Sequence, residues 1–122
     1  MNKKLFQLWF SKLGKAWEGK DPQAVPLLFA DKFKYYETPF EKPHTTKKEL
    51  LKLWEEVPAS QKDIEFDYDV ITITNNIAIA HWHAGFTRIR QNKKAVLDGI
   101  FLVELNNKGL ATLFKQWWVT KE

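Results

Sequence analysis

Residues 63–74 read Asp-Ile-Glu-Phe-Asp-Tyr-Asp-Val-Ile-Thr-Ile-Thr, and this stretch decides the fold class. Acidic and apolar residues alternate from 63 to 70, which is typical of a β-strand with one buried and one solvated face. The alternation changes phase at Val70 and Ile71, where two apolar residues are adjacent. A β-bulge at this point would explain the change and would bend the strand, so the sequence predicts a curved sheet.

Three more strands are predicted after this one, each preceded by a turn. The turns fall at residues 74–76, 91–93 and 106–109, where asparagine, lysine and glycine are concentrated. The strands between and after them run over residues 77–90, 95–105 and 110–119. A shorter extended segment is predicted earlier, at residues 33–37. The second half of the chain is therefore a meander of long strands.

The first half of the chain predicts helices. Over residues 5–18 most apolar side chains fall on one face of a helical wheel. The Asp-Pro pair at 21–22 is typical of a helix start and opens a short second helix, which Pro26 deprives of one backbone hydrogen bond. A third helix follows further along the chain.

That third helix opens with a capping box formed by Thr46 and Glu49 and is closed by Pro58. Helices of this kind must bury their apolar faces against the sheet. We therefore expect an α+β fold, with three N-terminal helices packed on a strongly curved, mainly antiparallel sheet. Helices laid into the concave side of such a sheet enclose a pocket.

Composition limits the classes of function. A chain of 122 residues with 44% hydrophobic residues is expected to form one globular domain over residues 1–122. It has no cysteine, which excludes disulfides, zinc–thiolate sites and thiol nucleophiles. The net charge of +4 is dispersed, so no nucleic-acid partner is expected.

Membrane insertion and export are not expected either. No apolar run approaches the roughly 20 residues that a membrane-spanning helix needs. The charged start at residues 1–4 is not followed by an unbroken apolar stretch, so we predict no export signal and a cytoplasmic protein.

Several short motifs occur in a fixed order along nearly the whole chain: Ala16-Trp17 before Asp21-Pro22, Leu28-Phe29-Ala30-Asp31 leading to Tyr36-Glu37-Thr38-Pro39, Asp98-Gly99 through Glu104-Leu105, Lys108-Gly109, and Phe114-Lys115-Gln116-Trp117-Trp118. With the order of helices and strands, they resemble the nuclear-transport-factor-2-like superfamily, specifically its SnoaL-like branch. The resemblance implies a cone-shaped fold with a cavity, and commonly a homodimer formed through the sheet. It does not imply one activity, because members include isomerases, dehydratases, cyclases, epoxide hydrolases and binding domains.

Two carboxylates are the candidate catalytic residues under this resemblance. Glu37 precedes a Thr-Pro pair, where ketosteroid-isomerase-like members often carry an acidic base. Asp98 lies in an apolar strand, near where such enzymes place a protonated acid that donates a hydrogen bond to a developing oxyanion. The alternative is that Glu37 is a solvated loop residue and that Asp98 bonds a backbone amide beside Gly99.

Aromatic residues are the candidate ligand contacts. The candidates are spread over the helices and strands: Trp17, Tyr36, Trp54, Trp82, Phe101 and Trp118. Core packing is the competing interpretation for those in the helices. Trp117 and Trp118 are adjacent in a strand, so one of them must face away from the pocket, which favours a dimer surface there.

No metal site and no cofactor are expected. His81 and His83 share one face of a strand, but a metal site needs a third ligand and His44 lies in a distant loop. They are therefore interpreted as ordinary polar residues.

The leading hypothesis is a domain whose aromatic pocket binds a small, largely apolar molecule. Proton transfer, as in an isomerase, cyclase or dehydratase step, would use Glu37 as the base and Asp98 as the hydrogen-bond donor or second acid. The sequence leaves open whether the protein is an enzyme. The alternative is a non-catalytic ligand-binding or homodimerisation domain with Trp117 or Trp118 at its interface.

Overall fold

The computed structural model describes residues 3–122. Met1 and Asn2, which belong to the segment considered for an export signal, lie outside the described residues. Within residues 3–122, no helix is long and apolar enough to cross a membrane. The elements in chain order are helix α1 (Lys3–Glu18), two 3₁₀ turns (Pro22–Ala24 and Pro26–Leu28), strand β1 (Phe29–Tyr35), helices α2 (Lys47–Trp54) and α3 (Glu56–Ser60), and strands β2 (Gln61–Thr74), β3 (Ile77–Arg88), β4 (Lys93–Leu105) and β5 (Ala111–Lys121).

The strands form one curved, mixed sheet in the order β1-β5-β4-β3-β2. The β2–β3, β3–β4 and β4–β5 pairs are antiparallel, whereas β1 pairs with β5 in parallel. The register of β2 against β3 shifts between Val70 and Thr72, which confirms the predicted bulge. The expected fold class, helices on a curved and mainly antiparallel sheet, is confirmed.

The helices differ from the prediction at their prolines. In place of a second α-helix, the chain makes two 3₁₀ turns that begin at Pro22 and Pro26, because two prolines four residues apart leave no room for a regular ladder of backbone hydrogen bonds. Pro58 does not close the third helix but lies in the first turn of α3, where its missing N–H costs no helical bond. The Thr46–Glu49 capping box is present as predicted.

Helix α1 packs its apolar stripe on the concave face of the sheet. Phe6, Trp9, Phe10 and Leu13 are almost fully buried. The helix crosses β2 closely at Gly14, where an added Cβ would lie 2.6 Å from Cδ2 of Phe66. The absence of a side chain at this position therefore sets how near the helix can approach the sheet.

Candidate functional site

A cavity of about 340 Å³ lies between the helices and the concave face of the sheet. Aromatic rings dominate its wall, and they come from α1, α2 and four strands. Five of the six aromatic residues predicted as ligand contacts line it: Trp17, Trp54, Trp82, Phe101 and Trp118. The sixth, Tyr36, lies instead with Pro39 and Lys115 at a smaller depression of about 70 Å³. The reason is alternation, because the neighbouring Tyr35 takes the inward position and is buried.

Glu37 lines the cavity just after the end of β1. The strand end is fixed by Tyr35, which exchanges two backbone hydrogen bonds of 2.9 and 2.8 Å with His44. Burial raises the pKa of the Glu37 carboxyl above its ordinary value, and the charge of Glu41 raises it further against a smaller opposing effect of His44. The structure therefore places a partly desolvated carboxylate at an aromatic cavity, an arrangement suited to proton transfer.

Asp98 does not lie in the cavity. It occupies the outer face of β4, on the opposite side from Phe101, and its side chain is 48% exposed. Its carboxylate oxygens are 2.9 Å from Nε2 of His81 and 3.3 Å from Nδ1 of His83. Hydrogen bonds from His81, and then from His83, lower the pKa of Asp98 below its ordinary value.

The structure thus does not bring Glu37 and Asp98 together, and this corrects the expected placement of Asp98 in an apolar pocket. A carboxyl group with a lowered pKa on a solvated face cannot serve as the protonated acid of the pocket. In the described part of the chain, no group of three or more histidine, aspartate or glutamate side chains is arranged to hold a metal ion.

Three tryptophans meet at one end of the cavity. The ring of Trp17 lies 5.7 Å from that of Trp54 in an edge-on arrangement and 5.8 Å from that of Trp82. Trp17 donates its indole N–H to Oε1 of Gln61 at 2.9 Å. The indole nitrogens of Trp54 and Trp82 are buried, and neither has a hydrogen-bond partner within residues 3–122.

Several polar residues of the cavity were not predicted as site residues: Tyr35, Glu56, Gln61, Arg88 and Gln116. Burial raises the pKa of the Tyr35 hydroxyl, and the neighbouring Trp54 and Gln116 side chains partly oppose this. Arg88 bonds Glu122 and lies 5.3 Å from the ring of Phe86. One sequence signal could have found Gln116, because it alternates with Phe114 and Trp118 along β5.

The outer face of the sheet carries a second set of side chains. Trp117 is 42% exposed there and Val119 is 73% exposed, whereas Trp118 points into the cavity. On this face the acidic residues of β2 are separated from the lysines of β5 by the two strands β3 and β4.

The chain is similar in sequence to one family and in structure to several solved proteins. The sequence model described as "SnoaL-like domain" matches residues 10–113. No curated protein matches the chain significantly in sequence. TsrD from Streptomyces laurentii superposes with a TM-score of 0.80 at 10% identity, covering 97% of this chain and 90% of that protein.

Two further solved structures are comparable. A conserved protein from Planctomyces limnophilus DSM 3776 gives a TM-score of 0.78 at 16% identity, covering 98% of this chain and 97% of the other. A hypothetical protein with a ketosteroid isomerase-like fold from Catenulispora acidiphila DSM 44928, in complex with trimethylamine, gives 0.78 at 13% identity, with coverage of 89% and 83%. Since the family match spans most of the chain, this protein belongs to the SnoaL-like domain family and has the fold of the nuclear-transport-factor-2-like superfamily.

Proposed function

We propose that residues 1–122 form one cytoplasmic SnoaL-like domain that binds a small, largely apolar molecule in its internal cavity. The observation that carries this proposal is a cavity of about 340 Å³ with a mainly aromatic wall and a partly buried carboxyl group, Glu37. Ligand sites in proteins are usually concave and apolar, with a few polar groups that fix orientation. The trimethylamine held by the Catenulispora acidiphila protein is also small.

The same cavity favours proton transfer with Glu37 as the base, without Asp98 as its partner. A carboxylate removes a proton from the carbon next to a carbonyl group, the C–H electron pair forms the enolate, and the proton returns to the same or another carbon. The Tyr35 hydroxyl and the Gln116 amide also line the cavity and are hydrogen-bond donors for the enolate oxygen. The alternative is a domain that binds its ligand without any reaction.

Deuterium exchange tests the proton-transfer step. We expect the protein to accelerate exchange of the protons next to the carbonyl of 1-tetralone in D₂O, measured by ¹H NMR. Glu37→Gln should slow the protein-dependent exchange by about 10²–10⁴-fold, because an amide cannot accept the proton. The wild-type rate should rise with pH through a pKa above the ordinary value for glutamate, since burial raises the pKa of Glu37 and the base works only when ionised.

Glu56→Gln is the matched control, because Glu56 is the other glutamate at the cavity wall. Its exchange rate should stay close to that of the wild type. If 1-tetralone binds but wild type and Glu37→Gln exchange protons at equal rates, the non-catalytic alternative holds.

We also propose a homodimer formed through the outer face of the sheet. Trp117 and Val119 expose apolar surface at one side of this face. Glu65, Asp67 and Asp69 are exposed on β2 at the other side, and Lys121 is exposed on β5. A twofold axis parallel to the strands would set the acidic strand of each copy against β5 of the other, so the face complements itself in charge.

Trp117→Glu tests the dimer. Light scattering after size-exclusion chromatography should give twice the chain mass of 14.4 kDa for the wild type and the single mass for the variant. The reason is that a carboxylate at this position on β5 would face the acidic strand β2 of the other copy, and like charges repel. Leu8→Glu is the control, because Leu8 is 51% exposed on α1, which packs on the concave face of the sheet and not on the outer face, and this variant should remain dimeric. A wild-type monomer at high concentration would contradict the proposal.

A further inference from the structure

The hairpin between β3 and β4 is rich in basic residues. Residues 88–94 read Arg-Ile-Arg-Gln-Asn-Lys-Lys and contain no acidic residue. Residues 89–92 form the turn, and Asn92 has a positive φ of 51°, a conformation that asparagine tolerates in turns. Arg88 and Lys93 pair on either side of this turn. The chain therefore presents a compact basic hairpin, residues 88–94, at one end of the sheet.

The fold gathers at this end of the sheet a charge that is dispersed along the sequence. Strands β2 to β5 all contribute residues here, namely 61–63, 88–94 and 120–122. Six of these residues are basic and two, Asp63 and Glu122, are acidic. This excess of four positive charges equals the net charge of +4 of the whole chain, so the rest of the protein is neutral overall. Positive potential is therefore concentrated around the basic hairpin.

The cations at the tip of the hairpin are not neutralised by nearby carboxylates. Arg88 bonds Glu122 through its Nε atom. Arg90, Lys93 and Lys94 are exposed, and none of these three forms an ion pair within residues 3–122. Their charge is free to attract an anionic partner.

An apolar side chain lies among these cations. Ile89 is 42% exposed at the first position of the turn, between Arg88 and Arg90. Its backbone N–H donates to the oxygen of Ser60 at 3.0 Å, which holds the turn against the end of α3. This combination suits an anionic membrane, because an apolar side chain can enter the boundary between headgroups and acyl chains while cations contact the headgroups. A soluble anion would gain nothing from Ile89.

The cavity opens at the same end of the sheet. Among the residues that line it, Glu56 and Thr120 are exposed, so they mark its mouth. Thr120 precedes Lys121 at the end of β5, and Arg88 lines the cavity from β3. Glu56 is acidic, so the attraction to an anionic surface comes from the hairpin side of the mouth. Largely apolar molecules partition from water into bilayers, and a mouth that faces a bilayer would receive them directly.

The proposed dimer would double this surface. Its twofold axis is parallel to the strands, and a rotation about such an axis leaves the direction along the strands unchanged. The basic hairpins of the two copies therefore point the same way and reach one plane. Two linked contacts hold a planar surface more strongly than one.

We propose that the basic hairpin docks the protein on an anionic lipid bilayer, with Ile89 at the headgroup boundary and Arg90, Lys93 and Lys94 against the anionic headgroups. The contact is peripheral, and the cytoplasmic leaflet supplies the negative charge that it needs. Transfer of a ligand from the bilayer to the cavity rests on the proposed small-molecule function, whereas the docking itself does not.

Cosedimentation with lipid vesicles tests the docking. At low salt we expect the full chain to bind mixed vesicles, of about 70% phosphatidylcholine and about 30% phosphatidylglycerol, and to bind pure phosphatidylcholine far more weakly. Added salt should weaken the binding, because it screens exposed charges. The double variant Lys93→Gln, Lys94→Gln should bind the mixed vesicles about 10-fold or more weakly, because two cations leave the contact.

The double variant Lys3→Gln, Lys4→Gln is the matched control. It changes the net charge by the same amount, but both lysines are exposed at the start of α1. The next residue, Leu5, lies beside the turn between β4 and β5, where an added Cβ on Gly109 would be 3.0 Å from its Cδ1 atom. That turn is at the opposite end of the sheet, so this variant should bind the vesicles like the wild type.

A fluorescent label at position 89 gives a readout with every cation in place. The chain has no cysteine, so Ile89→Cys can be labelled at this position alone with the fluorophore NBD. On mixed vesicles we expect its emission to rise and move to shorter wavelength, because the label enters the apolar boundary. Leu27→Cys is the control and should not respond. Leu27 is 73% exposed just before β1, whose first residue pairs with Ala111 at the opposite end of the sheet.

The outcomes separate the docking from the proposed function. Equal sedimentation with both kinds of vesicle, or with neither, overturns the docking. Binding to mixed vesicles without a response of the label at position 89 means that another surface docks, and it also overturns the inference. If 1-tetralone binds but vesicles do not, the docking fails and the proposed function stands. If vesicles bind as expected but 1-tetralone does not, the docking stands and the proposed function fails.

Discussion

Replacing Phe101 with alanine is expected to lower the free energy of unfolding by about 3–5 kcal/mol. Phe101 is 2% exposed on the concave face of β4. Its ring is stacked on Trp82 at 4.8 Å and on Phe10 at 6.0 Å, and it lies 4.9 Å from the ring of Phe114. The residue therefore joins α1 to three strands, and its removal would leave a hole that these rings cannot fill without leaving their stacked positions.

Urea denaturation monitored by circular dichroism measures this decrease in the free energy of unfolding. Phe101→Leu keeps most of the side-chain volume and should cost clearly less, since the size of the residual cavity sets the penalty. Phe40→Ala is the surface control and should change the stability by no more than about 0.5 kcal/mol, because Phe40 is 97% exposed. A loss below about 1 kcal/mol for Phe101→Ala would show that the aromatic cluster does not support the fold.

The sequence predicted the strands well because their signals are local. The change of phase at Val70 and Ile71 correctly located the bulge, and the turns at 74–76 and 106–109 separate strands as expected. The apolar stripe of α1 was also a local signal, and the structure confirms that this face of the helix is buried. The start of β1 was not predicted, because Phe29 is held by a parallel pairing with Ala111 on the distant strand β5, which no local pattern reveals.

The side of the sheet on which Asp98 lies depends on the exact position of the turn between β3 and β4. Both faces of β4 carry apolar residues, so alternation in that strand alone does not identify the inner face. The turn lies at residues 89–92 and pairs Arg88 with Lys93, which sets Asp98 opposite His83 on the polar face of β3. The predicted turn at 91–93 would instead have set Asp98 opposite Phe86, which is buried on the inner face. The predicted turn and the family resemblance therefore both pointed to the inner face, whereas Asp98 lies on the outer one.

Other features of the site depend on tertiary contacts. Tyr35 and Glu37 line the cavity because backbone hydrogen bonds to His44 hold the end of β1 in place. His44 is close to Tyr35 in sequence, but a loop with two prolines separates them. The unpaired state of the Trp54 and Trp82 nitrogens depends on every neighbour of each indole. No sequence pattern contains that information, so the polar character of the cavity emerged only from the structure.

Above pH 10, the wild-type protein is expected to lose stability faster than its Tyr35→Phe variant. Tyr35 is 3% exposed and its ring is stacked on Phe114 at 4.6 Å, so burial raises the pKa of its hydroxyl above the ordinary value of 10.0. The folded state then keeps the proton while the unfolded chain releases it. A group whose pKa is raised on folding contributes stability that is complete below its pKa in the unfolded chain and is lost as the pH rises beyond that pKa.

The difference in unfolding free energy between the wild type and Tyr35→Phe should therefore fall by up to about 1.4 kcal/mol per pH unit above pH 10. Urea midpoints at pH 9, 10 and 11 measure this difference, and comparison with the variant cancels every contribution that the two proteins share. Parallel stability curves for the two proteins would contradict the buried, protonated state of Tyr35.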